Sequence, residues 1–364
     1  MDNRILEERK KERKKERKKE RLSNIELLRI IAMFLVLLVH ADYFSIGAPT
    51  ISDIQEEPLD AFLRVFFEAI CIVCVNIFVL ISGWFGIKPT IKGISNFIFQ
   101  CLFFLIGLYI ITLIIGTSEL SIKGIAGCFF ATRLNWFIKA YLLLYILTPV
   151  LNAFVETAPK ATFKYVLIGF FAFSCTYGWI NAASFMCSGY TTLSFIGLYL
   201  LARYIKIYSP TWSLYKPNVY LLIYVGCIMF VTLFDFIFPY LIGKRLPVSL
   251  FSYICPTTII GALALLLCFT KIKFKNKFIN WCGISCFAVF LIHVSPSTVF
   301  LYQKLFIYLH AELSVIIFWM VTLVILSLIF IIAILIDKIR IIAWNIIYKK
   351  LEPKFNLFII DDTH

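Results

Sequence analysis

The residues best placed to do chemistry in this chain are an arginine and a histidine inside one apolar run. Arg29 and His40 stand 11 positions apart in IELLRIIAMFLVLLVHADYF. At about 100° per residue, that spacing is three helical turns plus roughly 20°, so the two side chains share one helix face. They sit roughly 16 Å apart along the axis. Met33 and Val36 fall between them on that face. A guanidinium at one mouth and an imidazole deep in the span suit a long substrate, with its anionic head at Arg29 and its reactive end at His40. The pair fits a structural role equally well, Arg29 reaching for the lipid interface and His40 bonding to a neighbouring helix.

Few other groups compete. The histidines are His40, His293, His310 and His364. His364 is the last residue of the chain, and His310 is expected in an outer loop. His40 and His293 therefore remain as the histidines within spans. Arg29, Arg64, Glu68, Lys139 and Asp235 complete the ionisable inventory of the apolar segments. Such groups are expensive in lipid and are functional candidates by default. Arg64 and Glu68, four residues apart, are expected to neutralise each other. The second span ends in Asn76-Ile-Phe-Val-Leu-Ile-Ser82-Gly83-Trp84. Ser82-Gly83 allows close helix packing or a helix stop, and no Gly-x-Ser-x-Gly elbow marks a serine nucleophile. Cys71-x-x-Cys74 has no second CxxC and no nearby histidine, so these thiols read as small apolar filler and no metal is expected.

The elements that must hold these groups are membrane helices. Hydrophobic residues make up 61% of the 364-residue chain and charged residues 15%. Mean hydropathy is +0.90. That much apolar surface requires lipid as solvent. The expected fold is all-α, a polytopic transmembrane bundle of about ten spans. They fall near 25–45, 60–82, 97–116, 135–155, 163–182, 190–206, 217–241, 248–270, 284–306 and 313–336. Three parts follow: a basic cytoplasmic tail (1–21), a membrane domain (22–336) and a basic cytoplasmic tail (337–364). Lys10–Arg21 is KKER written three times. Because it runs straight into a helix, it reads as a topology anchor facing anionic lipid, with no nucleic-acid partner. With the N-terminus inside, 28 of the 35 Lys and Arg residues fall on the cytoplasmic side. That asymmetry favours an even number of crossings and both termini inside a multi-pass protein of the cell membrane.

Four stretches carry a family resemblance. Arg29-(ten residues)-His40 resembles the opening helix of the integral-membrane acyltransferases of acyltransferase family 3. NIFVLISGWF, WFIKAYLLLYILTPVLN (Trp136 to Asn152) and SCFAVFLIHVSP resemble three later motifs of that family, the last placing His293 in register. The resemblance covers residues 22 to about 336. It implies transfer of an acyl group, commonly acetyl from acetyl-CoA, to a hydroxyl of a surface polysaccharide or related acceptor. It implies that Arg29 and His40 serve donor binding and catalysis, with Asn76, Ser82, Gly83, Trp136 and His293 as motif residues. Asn76 stands where many members carry Asp, so a carboxylate is missing there. No extracellular domain is expected after the last span, so the acceptor is expected to be met by the membrane domain or by a separate partner protein.

His40 is accordingly expected to be the catalytic imidazole, as general base or as acyl carrier, with His293 in support. A transporter or flippase without covalent chemistry is the rival, since an intramembrane His and Asp235 would serve proton coupling. A membrane anchor would explain the basic tail but not the Arg29/His40 face.

Overall fold

The computed structural model describes residues 21–357, apart from Ala131 and Ser184. The KKER repeat before Arg21, and His364, lie outside the described residues. Every regular element among the described residues is helical. In chain order they are α1 (Ser23–Ala41), α2 (Ile51–Glu56), α3 (Pro58–Cys71), α4 (Cys74–Phe85), α5 (Ile91–Ile115), α6 (Ile122–Cys128), α7 (Trp136–Thr157) and α8 (Lys160–Phe173). Then come α9 (Thr192–Tyr208), α10 (Pro217–Thr232), α11 (Phe238–Ile242), α12 (Pro256–Lys271), α13 (Lys277–Gly283), α14 (Cys286–His293), α15 (Val299–Glu312) and α16 (Val315–Leu357).

Local sequence explains where the helices that frame α1 begin. Ser23 Oγ accepts the N–H of Asn276 at 2.9 Å, and the Asn24 amide donates to the Phe269 carbonyl at 2.7 Å. These bonds tie the start of α1 to the turn between α12 and α13. Asn276 in turn caps α13 by accepting the N–H groups of Phe278 and Ile279, the role for which short polar side chains are favoured at that position. Gly83 is where α4 meets α9: a Cβ there would land on the Tyr199 carbonyl and 2.9 Å from Ala202 Cβ. The expectation of close packing at Ser82-Gly83 is met by this contact, which only a residue without a side chain allows.

Seven described helical stretches are long and apolar enough to cross a membrane: Ser23–Ala41, Pro58–Phe85, Ile91–Ile115, Trp136–Thr157, Lys160–Ile180, Pro217–Ile242 and Val315–Lys350. Pro256–Lys271 and Lys277–His293 are shorter apolar helices, and α9 has 17 residues. Apolar runs that read as continuous spans are broken in several places. The run 284–306 splits into α14 and α15 across residues 294–298. In 248–270 the helix begins only at Pro256, and α3 turns into α4 at Ile72–Val73. Hydropathy registers apolarity and not backbone continuity; irregular backbone at membrane depth is tolerated where protein or a cavity surrounds it. His310 is helical, on α15, rather than in an outer loop. At the other end α16 runs without interruption past 336, carrying Asp337 and Arg340 into the packed interior.

Candidate active site

His40 occupies the last turn of α1 and His293 the last turn of α14, two helices packed side by side. Their rings meet, with His40 Nδ1 2.8 Å from His293 Nε2. His293 is 3% exposed, and its Nδ1 lies 2.6 Å from the Val289 carbonyl. A carbonyl oxygen only accepts, so the proton at that contact belongs to His293 Nδ1. For neutral rings the remaining tautomers then follow. His293 Nε2 offers a lone pair, His40 Nδ1–H donates to it, and His40 Nε2 carries a lone pair. Among the described residues nothing hydrogen-bonds that last nitrogen. Tyr302 steadies the arrangement from α15: its hydroxyl donates to the Leu37 carbonyl at 2.8 Å and its ring lies 5.3 Å from that of His293. The break after His293 is closed by Thr298, whose hydroxyl donates to the Ile292 carbonyl at 2.5 Å.

His40 lines a cavity of about 440 Å³, within the size range of small-molecule sites. Met33, Val36 and Val39 line it too, so the face read from the spacing of Arg29 and His40 is the face that borders the cavity. The opposite wall is aromatic. Trp136, at the start of α7, has its ring 4.5 Å from Tyr190 and 6.0 Å from Tyr253. Tyr190 and Tyr253 come from the irregular segments before α9 and α12, stitched together by the Tyr253 N–H donating to the Ser188 carbonyl at 3.0 Å. Asn76 does not border the cavity. Its side chain is buried in α4 and donates to the Tyr253 carbonyl at 2.8 Å, so an amide supports the aromatic wall from behind.

A family model for an acyltransferase domain, that of acyltransferase family 3, matches residues 22–338. The chain belongs to acyltransferase family 3. It is a membrane acyltransferase. No curated protein and no solved structure matches it.

The other family-motif residues lie outside the acyltransferase cavity. Ser82 donates to the Phe78 carbonyl at 2.9 Å and sits 3.1 Å from the Tyr141 hydroxyl. Arg29 is near the other end of α1, one guanidinium nitrogen 2.9 Å from Glu26 Oε1, which Arg21 reaches at the same distance. Its side chain is 29% exposed, and Glu26 engages one edge of the fork. Among the described residues no three His, Cys, Asp or Glu side chains group as metal ligands would.

One expected pair is not formed. Arg64 turns away from Glu68. Its Nε donates to Asp42 at 2.6 Å, a second nitrogen lies 3.7 Å from Asp60, and the fork also holds the Gly47 carbonyl. His310 Nε2 lies 3.1 Å from Asp60. Asp60, four residues before Arg64, obeys the same spacing rule as Glu68, and Asp42 adds a second carboxylate from the turn after α1, which no helical period registers. Glu68 is left lining the cavity. Sequence reasoning also missed Tyr43, which ends the first motif without a role of its own, and Tyr190 and Tyr253, whose loops carry no motif.

Proposed function

We propose that this membrane acyltransferase moves an acetyl group from acetyl-CoA to a hydroxyl of a cell-envelope glycan or its lipid-linked precursor, with His40 Nε2 as the base. The single observation that carries this reading is the hydrogen-bonded chain Val289–His293–His40, which leaves one imidazole lone pair at the wall of a cavity. The acceptor hydroxyl gives its proton to Nε2 as its oxygen bonds to the thioester carbonyl carbon. The C–S bond then breaks, and the departing thiolate takes the proton from His40. An ester and a free thiol result. While His40 is protonated, its Nδ1–H continues to donate to His293, which spreads the charge over two rings. A covalent route through acetyl-His40 would use the same nitrogen, and acid-quench trapping of labelled protein separates the two.

Arg29 holds the phosphates of the donor at the cytoplasmic mouth, roughly 16 Å of helix from His40. Ten crossings, with both termini in the cytoplasm of a cell-membrane protein, would place the donor and acceptor on opposite faces. The aromatic wall of Trp136, Tyr190 and Tyr253 offers apolar faces on which a sugar ring can stack. The flippase reading explains neither the family match nor the relay. Membranes carrying the protein should convert radiolabelled acetyl-CoA into free CoA and alkali-labile acetyl on envelope material. Donor consumption that persists in His40→Ala membranes would sink the mechanism, and no consumption by the wild-type protein would sink the donor.

A further inference from the structure

Glu68 is a buried carboxyl left without a partner among the described residues. It lies on α3 with 4% of its surface exposed and lines the same cavity as His40. Among the described residues it has no hydrogen bond and no ion pair, Arg64 being committed to Asp42 and Asp60. A partnerless carboxyl inside a membrane span costs several kcal/mol, and such costs are characteristic of positions that meet a ligand. A second orphan borders the same space. Among the described residues the buried hydroxyl of Tyr43 has no hydrogen-bond partner, and Tyr43 also lines the cavity.

Glu68 comes from α3 and Tyr43 from the turn after α1, whereas His40 is held by His293 of α14. The cavity thus presents an accepting nitrogen on one wall and accepting carboxyl oxygens, with one hydroxyl donor, on another. A ligand that satisfies both walls must bring at least two O–H or N–H donors of its own. One meets His40 Nε2 and is acylated; the other meets Glu68 and can accept from Tyr43.

Resting on the acyltransferase reading above, we infer that Glu68 is an acceptor-positioning residue that holds a second hydroxyl of a polyhydroxylated acceptor. A simple alcohol would fill the apolar space yet leave Glu68 desolvated and unpaired, so the site selects polyols. Glu68 touches neither the thioester nor His40, and its loss should divert the acyl group to water instead of blocking donor binding.

The test uses the full chain in membranes with their native acceptor and radiolabelled acetyl-CoA as the probe. The readout is the ratio of label in envelope material to label released as free acetate. That ratio should fall about tenfold to a hundredfold in Glu68→Leu, as for a buried hydroxyl left without its partner, and less in Glu68→Gln, which keeps one accepting oxygen. CoA affinity should stay within about twofold of wild type, as expected for a residue remote from the donor mouth. An unchanged ratio in a folded Glu68→Leu protein overturns the inference, with Glu68→Gln deciding if the leucine variant does not fold. So does a parallel loss of both label pools, which would make Glu68 a counter-charge for His40. Finding the wild-type acetyl only on units with no other hydroxyl or amine would also overturn it. If wild-type membranes consume no acetyl-CoA, it is the donor assignment that fails.

Discussion

Two sets of buried polar groups lie within the same bundle and end in opposite states. Where α5 meets α16, Asp337 is wholly buried and every neighbour is matched. Arg340 binds it through Nε at 2.8 Å and a second nitrogen at 3.0 Å. Gln100 donates to it at 3.1 Å, and Arg340 also reaches Asn96 at 3.2 Å. The Asp42–Arg64–Asp60–His310 group is also paired internally, one oxygen of each carboxylate engaged, and holds the loop after α1 against α3 and α15. Around the cavity, His40 Nε2, Glu68 and Tyr43 Oη are left open. The difference teaches that an intramembrane charge is not a functional signal by itself. A fork and two carboxylates that satisfy each other join helices; a group with no protein partner, at the wall of a cavity, is kept for something that comes and goes.

The comparison can be broken from both sides. The largest effect belongs to the open set. His40→Ala should lower turnover by about 10²–10⁴-fold, the usual contribution of a general base, while CoA affinity and melting temperature hold. A variant within a few-fold of wild type would remove the imidazole from the chemistry. In the closed set the roles reverse. Arg340→Ala strands Asp337 and should cost about 3–5 kcal/mol of stability in a detergent denaturation series. The double replacement Asp337→Leu with Arg340→Met should be far milder, because it removes both charges together. If the double variant is as unstable as the single one, Asp337 is doing more than pairing.

His293 lies between the two sets, buried like Asp337 yet bonded to the open imidazole. His293→Ala should lower turnover by about tenfold to a hundredfold, matching one lost charge-assisted hydrogen bond. His293→Gln keeps an oxygen able to accept from His40 Nδ1 and should recover part of that loss. Equal activity of the two variants would show that the relay contributes nothing. The smallest effect lies outside the spans. Asp53 accepts the Thr50 N–H at 2.6 Å in a capping box at the start of α2, and that bond holds its carboxyl below the ordinary carboxylate range. Its contribution is therefore complete above that range and is lost as pH falls through the folded-state value. The side chain is exposed, so Asp53→Asn should cost only about 0.3 kcal/mol near neutral pH, vanishing in acid. A cost that persists at low pH would mean the shape of the side chain matters and its charge does not.

Much of the site was legible before any coordinates. The 11-residue interval put Arg29 and His40 on one face, and Met33 and Val36 on that face do border the cavity, because a helix converts spacing into direction. Composition alone required a helical membrane protein, since lipid leaves the backbone no other bonding scheme in an all-α chain. Four motifs in order pointed to the family. Other readings did not survive. The four-residue interval of Arg64 and Glu68 suggested a pair, but spacing reports which side chains can meet and not which partner wins.

What the sequence by itself determined is local: the apolar segments and the shared face on α1. Each depends on residues within a few turns of one another or on bulk solvent preference. Only the tertiary structure decided which distant groups meet. His40 and His293 are 253 positions apart, and no periodicity links α1 to a helix that stops mid-bundle. The tautomer of His40 depends on a carbonyl on that second helix. Asp42 captured Arg64 and left Glu68 open at the cavity through the packing of a turn against α3. These outcomes are competitions among groups brought together by folding, and their result is set by distance and desolvation in three dimensions.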